Sequence, residues 1–252
     1  MNVAIIGDSK TGKTYSLNTL VGCTVIFNLD PGGYNSLRRN YDRIEPGTLE
    51  ATLKEQHPEC IVIDYCATIA PTISDTPGRS GRRAPAEKAY KALIADINVA
   101  IMADSVANLV VDGLTGLGEL VLNAILALNK RDKAIYEDWG QAIDKLLEIV
   151  SVCASACSTF VMLCHLQTDK DEITGRIKET PLVYGKQLPN KLMALFDNVF
   201  AAGYAGTSFF WVTKPQPLMQ TIGSRQFDNL PERIHQNFAD LFGGKARAIT
   251  SK

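Results

Sequence analysis

The sequence has almost no excess of either charge. Its 26 Lys and Arg are balanced by 27 Asp and Glu, for a formal net charge of −1. A chain without a net positive field does not gather nucleic acid as a whole molecule, so any such site has to be a local basic patch or loop. Long charge-free apolar runs are missing too. The most continuous one, residues 109–128, carries Asp112, Glu119 and several glycines, which argues against a membrane span. C-x-x-C spacing is absent among the six cysteines, Cys23, Cys60, Cys66, Cys153, Cys157 and Cys164. Cys153 and Cys157 would share a helix face, but no second ligand pair stands near them. That pattern favours buried, reduced thiols over a disulfide framework or a metal site. No internal repeat or long linker divides the 252 residues, so one α/β domain is expected over 1–244, with a flexible basic tail over 245–252. The apolar residues start at Val3, which leaves no room for a signal peptide, and a cytoplasmic location is expected.

What the chain does carry is concentrated at its start. Val3, Ala4, Ile5 and Ile6 form a short apolar run of the kind seen in fully buried strands. It leads into Gly7, Asp8, Ser9, Lys10, Thr11, Gly12, Lys13 and Thr14, which fit G-x-x-x-x-G-K-[ST] at every position. Residues 15–20, beginning at Tyr15, contain no Pro or Gly and are expected to open a helix. Strand, loop and helix thus follow in the order a phosphate-binding loop requires. The glycines let backbone N–H groups converge on phosphate oxygens, and the helix N-terminus adds its positive end. Lys13 is suited to the β- and γ-phosphates and the Thr14 hydroxyl to Mg²⁺. The implied ligand is a nucleoside triphosphate.

Further strands are expected at 24–29, 60–63, 109–112 and 159–164, with helices at 49–56, 86–103 and 137–157. Strand-like segments at 199–202, 208–213 and 218–222 point to antiparallel partners, and 234–242 reads as a closing helix. Two polar segments interrupt this pattern. Residues 71–85 hold Arg79, Arg82 and Arg83 among Pro and Gly, and read equally as a solvated loop or a polyanion site. Residues 167–191, with Gly175, Pro181, Gly185 and Pro189, read as a long mobile loop or a hairpin.

Three acids cap strand ends: Asp30, Asp64 and Asp112. A triphosphate site needs one of them for the metal. Asp112 is preferred because Gly113 leaves room beside it, whereas bulky Tyr65 follows Asp64. Asp30 is then placed to orient the attacking water. His165, at another strand tip, reads as a sensor of the γ-phosphate or as a hydrogen-bonded edge histidine. Asn129, Lys130, Arg131 and Asp132 match the guanine-reading N-K-x-D pattern, but they follow an apparent helix rather than a strand. The match is read as chance.

Taken together, GDSKTGKT, VIFNLDPGG, LVVDGLTGL, EDWGQAIDKLLEIV, FVMLCHLQTDKDEITGRIKETPLVYGK and SRQFDNLPERI resemble the RecA-like P-loop ATPases. The chain is most similar to compact RecA-core proteins encoded by bacteriophages, a group that includes single-strand annealing and recombination ATPases. The resemblance implies a mostly parallel central sheet flanked by helices, with antiparallel strands on the C-terminal side. It implies ATP and Mg²⁺ as ligands, Lys13 on phosphate, Thr14 and Asp112 on the metal, and a catalytic-acid role for Asp30. His165 would couple the γ-phosphate to a DNA-binding loop at 167–191, with Lys170, Arg176, Lys178 and Lys186 facing phosphates. Single-stranded DNA, a homo-oligomer and a recombination or replication partner in the host cytoplasm follow from the same likeness, with Lys214 and Arg225 read either as acting across a subunit boundary or as solvated surface cations. The loop's acids (Asp169, Asp171, Glu172 and Glu179) and the net charge keep a second reading open, an ATPase switch working through a protein partner. A nucleotide kinase with the 71–85 arginines as a lid is a third.

Overall fold

Short apolar runs ended by Gly, Pro or acid become strands with both faces covered. The structure, a computed structural model, describes residues 1–55, 59–66, 83–170, 175 and 177–249, with 83–85 described in backbone only. The strands are β1 (Asn2–Gly7), β2 (Thr24–Asn28), β3 (Asp42–Ile44), β4 (Cys60–Asp64), β5 (Asn108–Asp112), β6 (Thr159–Lys170), β7 (Ile177–Pro181), β8 (Asn198–Ala205), β9 (Ser208–Val212), β10 (Gly223–Ser224) and β11 (Arg233–His235). The helices are α1 (Lys13–Ser16), α2 (Leu49–Glu55), α3 (Arg83–Met102), α4 (Leu114–Leu128), α5 (Tyr136–Ala156), α6 (Leu188–Met193) and α7 (Phe238–Phe242). Among the described residues the strands form one sheet in the order β11-β9-β8-β1-β6-β5-β2-β4-β3, with β10 beside β8 and β7 beside β6.

The run from β8 through β1 to β3 is parallel, and β9, β10, β11 and β7 are antiparallel additions. The mostly parallel α/β architecture with antiparallel strands on the C-terminal side is therefore as expected. Strand β6 lies between the loop strand β1 and the acid-tipped β5. Register then aligns Gly7 with His165, Leu163 with Asp112, and Asn28 with both Asp112 and Asp64. One edge of the sheet collects the loop and the acids.

Side chains alternate between two cores, as the strand period of two requires. Ala4, Ile6, Val25, Phe27 and Val111 face Leu93, Leu117 and Leu146 of the long helices. Val3, Ile5, Ile26, Val62 and Val110 face Leu17, Trp211 and Phe238. Trp211 stacks on Phe200 at 5.9 Å and meets Phe238 at a tilt, 4.7 Å between ring centres. The six cysteines are free, and burial pushes Cys60 up to about 11 and Cys164 up to about 12, which fits inert thiols. No described helix is long and apolar enough to cross a membrane.

Several elements depart from expectation. The helix after the loop is a single α turn continued by a 3₁₀ turn over Leu17–Thr19. Ser16 and Thr19 hydroxyls donate to the carbonyls of Lys13 (2.6 Å) and Ser16 (2.7 Å), drawing the chain into the tighter winding. Of the two readings of 167–191, a loose loop or a hairpin, the described residues take the hairpin one, because β6 continues to Lys170 and pairs antiparallel with β7. Residues 218–222 are not a strand. Pro215 and Pro217 lack N–H donors, and Gln216 and Met219 close a turn on each other, so pairing resumes only at Gly223. The stretch 234–242 splits into β11 and α7 because Asn237 Oδ1 caps the helix at Asp240 N, 3.0 Å away. The tail is tethered as far as 249, where Ile249 N donates to Arg233 O at 3.0 Å and Ala248 bridges Ile234.

Candidate functional site

The loop at 7–15 is held from three sides. A Cβ on Gly7 would stand 2.8 Å from Ala202 O of β8, so only glycine lets the strands approach. Lys10 and Gly12 adopt left-handed backbone, with φ of 66° and 85°. Thr11 Oγ1 donates to Asp8 O at 2.8 Å, which stitches the turn. Buried Gln236, just beyond β11, donates from Nε2 to Thr11 O and to Phe210 O, both at 2.9 Å. Asp8, Ser9 and Lys10 are exposed along the rim. Tyr15 is exposed and its ring lies 6.1 Å from that of Phe209.

Lys13 is buried, and its ammonium donates to Gly7 O at 2.8 Å and Asp8 O at 2.7 Å. Burial lowers its pKa, opposed chiefly by the charges of Asp112 and Asp30. Thr14 Oγ1 donates to Asp112 Oδ2 at 2.8 Å across 98 residues of sequence. Asp112 is 2% exposed, and burial pushes its carboxyl up to about 6 against the pull of the Thr14 hydrogen bond. A hydroxyl and a carboxylate in contact, with oxygen donors only, are the set a hard dication such as Mg²⁺ takes. Here they fit.

The other two acids are occupied differently. Asp30 Oδ2 lies 3.1 Å from His165 Nε2, so the two strand tips read separately in sequence form one pair. Asp64 points away to the β3 edge, where Arg43 Nη2 reaches Oδ2 at 2.5 Å and Cys66 N reaches Oδ1 at 3.0 Å. Burial would raise its pKa, but the Cys66 N–H, the Asn28 amide and Arg43 together hold it below the usual carboxylate value. Asp112 is thus the tip acid that meets the loop threonine. At Gly113, φ 115°, a Cβ would stand 2.9 Å from Leu29 C, so the missing side chain also admits the Leu29 backbone.

The remaining residues lie elsewhere. Asn129 and Arg131 both reach Asp138 Oδ1 at 2.7 Å, so the N-K-x-D match ties α4 to the start of α5. Lys170 and Lys186 are exposed, and Lys178 Nζ donates to Asn190 Oδ1 at 3.2 Å. Exposed Lys214 and Arg225 belong to neither acid pair, and Arg225 donates to Ala194 O at 3.3 Å. Arg79, Arg82, Asp171, Glu172 and Arg176 lie outside the described residues, as does the Arg83 side chain. Sequence reasoning missed Asn28, Arg43 and Gln236. Asn28 could have been found as a polar residue inside the buried run VIFNL, whereas Gln236 gives no signal, since its partners are 225 and 26 residues away.

A family model described as an AAA domain (AAA_24) matches residues 1–228, and the chain belongs to that family. No curated protein matches the chain.

Proposed function

We propose that this member of the AAA-domain family binds MgATP at residues 7–15 and hydrolyses it. Thr14 and Asp112 take the cation and Lys13 takes the phosphates. Asp30, steadied by His165, stands beside the attacking water. The observation that carries the reading is the 2.8 Å contact between Thr14 and Asp112, next to a buried lysine. Bound Mg²⁺ would withdraw charge from the phosphate oxygens. The chain's own residues do the rest. Two of the three ammonium donors of Lys13 rest on loop carbonyls, which leaves one N–H for a phosphate oxygen. With Oδ2 engaged by His165, Asp30 keeps Oδ1 to accept a proton from water.

The finer reading is that hydrolysis is coupled to single-stranded DNA in recombination or replication, by a homo-oligomer of this RecA-like domain. Its support is continuity: β6 runs from His165 into a ribbon bearing Lys170 and Lys178. A protein-partner switch is the second reading. Asp169 sits opposite Lys178 and Glu179 opposite Thr168 in that same ribbon, which dilutes its positive field. The test is ATPase rate at low salt with and without single-stranded DNA, using Lys13→Ala as blank. Several-fold stimulation that vanishes in Lys13→Ala is expected. A Lys13-dependent rate unmoved by DNA would overturn the DNA reading and favour a protein partner. No hydrolysis by the wild type with Mg²⁺ would overturn the ATPase itself.

A further inference from the structure

Asn28 is fully buried at the tip of β2, in register with Asp112 on one neighbour and Asp64 on the other. Its amide nitrogen donates to Asp64 Oδ1 at 3.0 Å and to Cys66 Sγ at 3.2 Å. Asp64 is held ionised by Arg43 and the Cys66 N–H. Turning the amide over would set Oδ1 against that carboxylate, so the orientation is fixed. Oδ1 is left buried without a hydrogen-bond partner.

What lies beside Oδ1 is visible at Gly33. A Cβ built there would stand 3.0 Å from Asn28 Oδ1 and 3.0 Å from Asp112 Oδ2. Two acceptor oxygens therefore border one small space, kept open by the missing side chain. Asp112 Oδ2 is also the atom that meets Thr14. Asn28 Oδ1 lacks a donor, while Asp112 Oδ2 can accept a second bond beside that of Thr14, and a water molecule between them supplies two O–H groups. Asparagine offers its acceptor without adding a third negative charge between Asp64 and Asp112.

We propose that Asn28 Oδ1 and Asp112 Oδ2 jointly hold one water in this space, and that the water belongs to the hydration shell of the divalent cation taken by Thr14 and Asp112. Asn28 is then a positioning residue for the cation, and Arg43 and Asp64 are the anchors that aim it. The inference rests on the MgATP reading above.

Mn²⁺ in place of Mg²⁺ tests it, by titration of the full chain with ADP followed by electron paramagnetic resonance. Gly33→Ala puts a methyl group into the water's space and leaves every named side chain intact. It is expected to weaken Mn²⁺ binding about tenfold or more, with ADP affinity in EDTA unchanged. Asn28→Leu removes the acceptor and is expected to do the same, its folding checked by urea melts. If Asn28→Leu does not fold, Gly33→Ala alone decides. Wild-type Mn²⁺ affinity in Gly33→Ala overturns the proposal while leaving the MgATP reading intact. Failure of the wild type to bind ADP with Mn²⁺ overturns the MgATP reading instead.

Discussion

Gly116 and Gly140 both sit inside helices, yet replacing them by alanine is expected to change stability in opposite directions. A Cβ at Gly116 in α4 would stand 2.1 Å from Leu29 O and 3.1 Å from Leu29 Cβ. That is roughly 1 Å inside van der Waals contact, and the obstacle is backbone rather than a flexible side-chain end. The overpacking cost lies at the upper end of about 1–3 kcal/mol, from which about 1 kcal/mol of helix propensity is recovered. A net loss of about 2 kcal/mol lowers Tm by about 4–8 °C for a chain of this size. At Gly140 in α5 nothing lies within 4 Å of the built Cβ. Only the propensity gain remains, about 1 kcal/mol and about 2–4 °C upward. Urea and thermal melts of both variants measure the difference. Leu29 directly precedes Asp30, so Gly116→Ala is also expected to lower ATP turnover, while Gly140→Ala leaves it unchanged. A Gly116→Ala protein as stable as wild type would refute the packing of α4 against the β2 tip.

Two further substitutions probe the site itself. Burial raises Asp112 from 3.8 to about 6, so between those values the folded protein keeps a proton that the unfolded chain has released, and this residue's contribution falls as pH rises through that window. Asp112→Asn is expected to flatten this fall in stability and to abolish Mg²⁺-dependent hydrolysis; urea melts at both ends of the window check this, and an unchanged slope contradicts it. Gln236→Leu removes both donors from Thr11 O and Phe210 O. A loss of about 1–3 kcal/mol and weaker ATP binding are expected by melts and calorimetry, and no change in either would show that Gln236 does not shape the loop.

The parts legible in sequence are those fixed by local chemistry. The loop is readable because its glycines, lysine and threonine answer to backbone geometry and phosphate chemistry at fixed spacing. The central strands are readable because burial on both faces demands continuous apolar runs. The β6–β7 ribbon was not fully legible: Gln167, Thr168, Asp169 and Lys170 are partly or wholly exposed and show no alternation, so pairing leaves no hydrophobic trace. Strand β3 is only three residues long. Its Arg43 decides the fate of Asp64, and a contact between an edge strand and a neighbouring tip has no sequence period. The pairing of Asp30 with His165 and the hold of Gln236 on Thr11 depend on strand order, which motifs do not encode. Asn28 lay in view, but its role depends on which side of the amide Asp64 captures.

The most direct measurement is calorimetric titration of wild type and Lys13→Ala with ATP, in Mg²⁺ and in EDTA. One Mg²⁺-dependent site per chain is expected, weakened about 30-fold or more by loss of the buried ammonium. ATP binding of equal strength in Lys13→Ala, or none in the wild type, would contradict it.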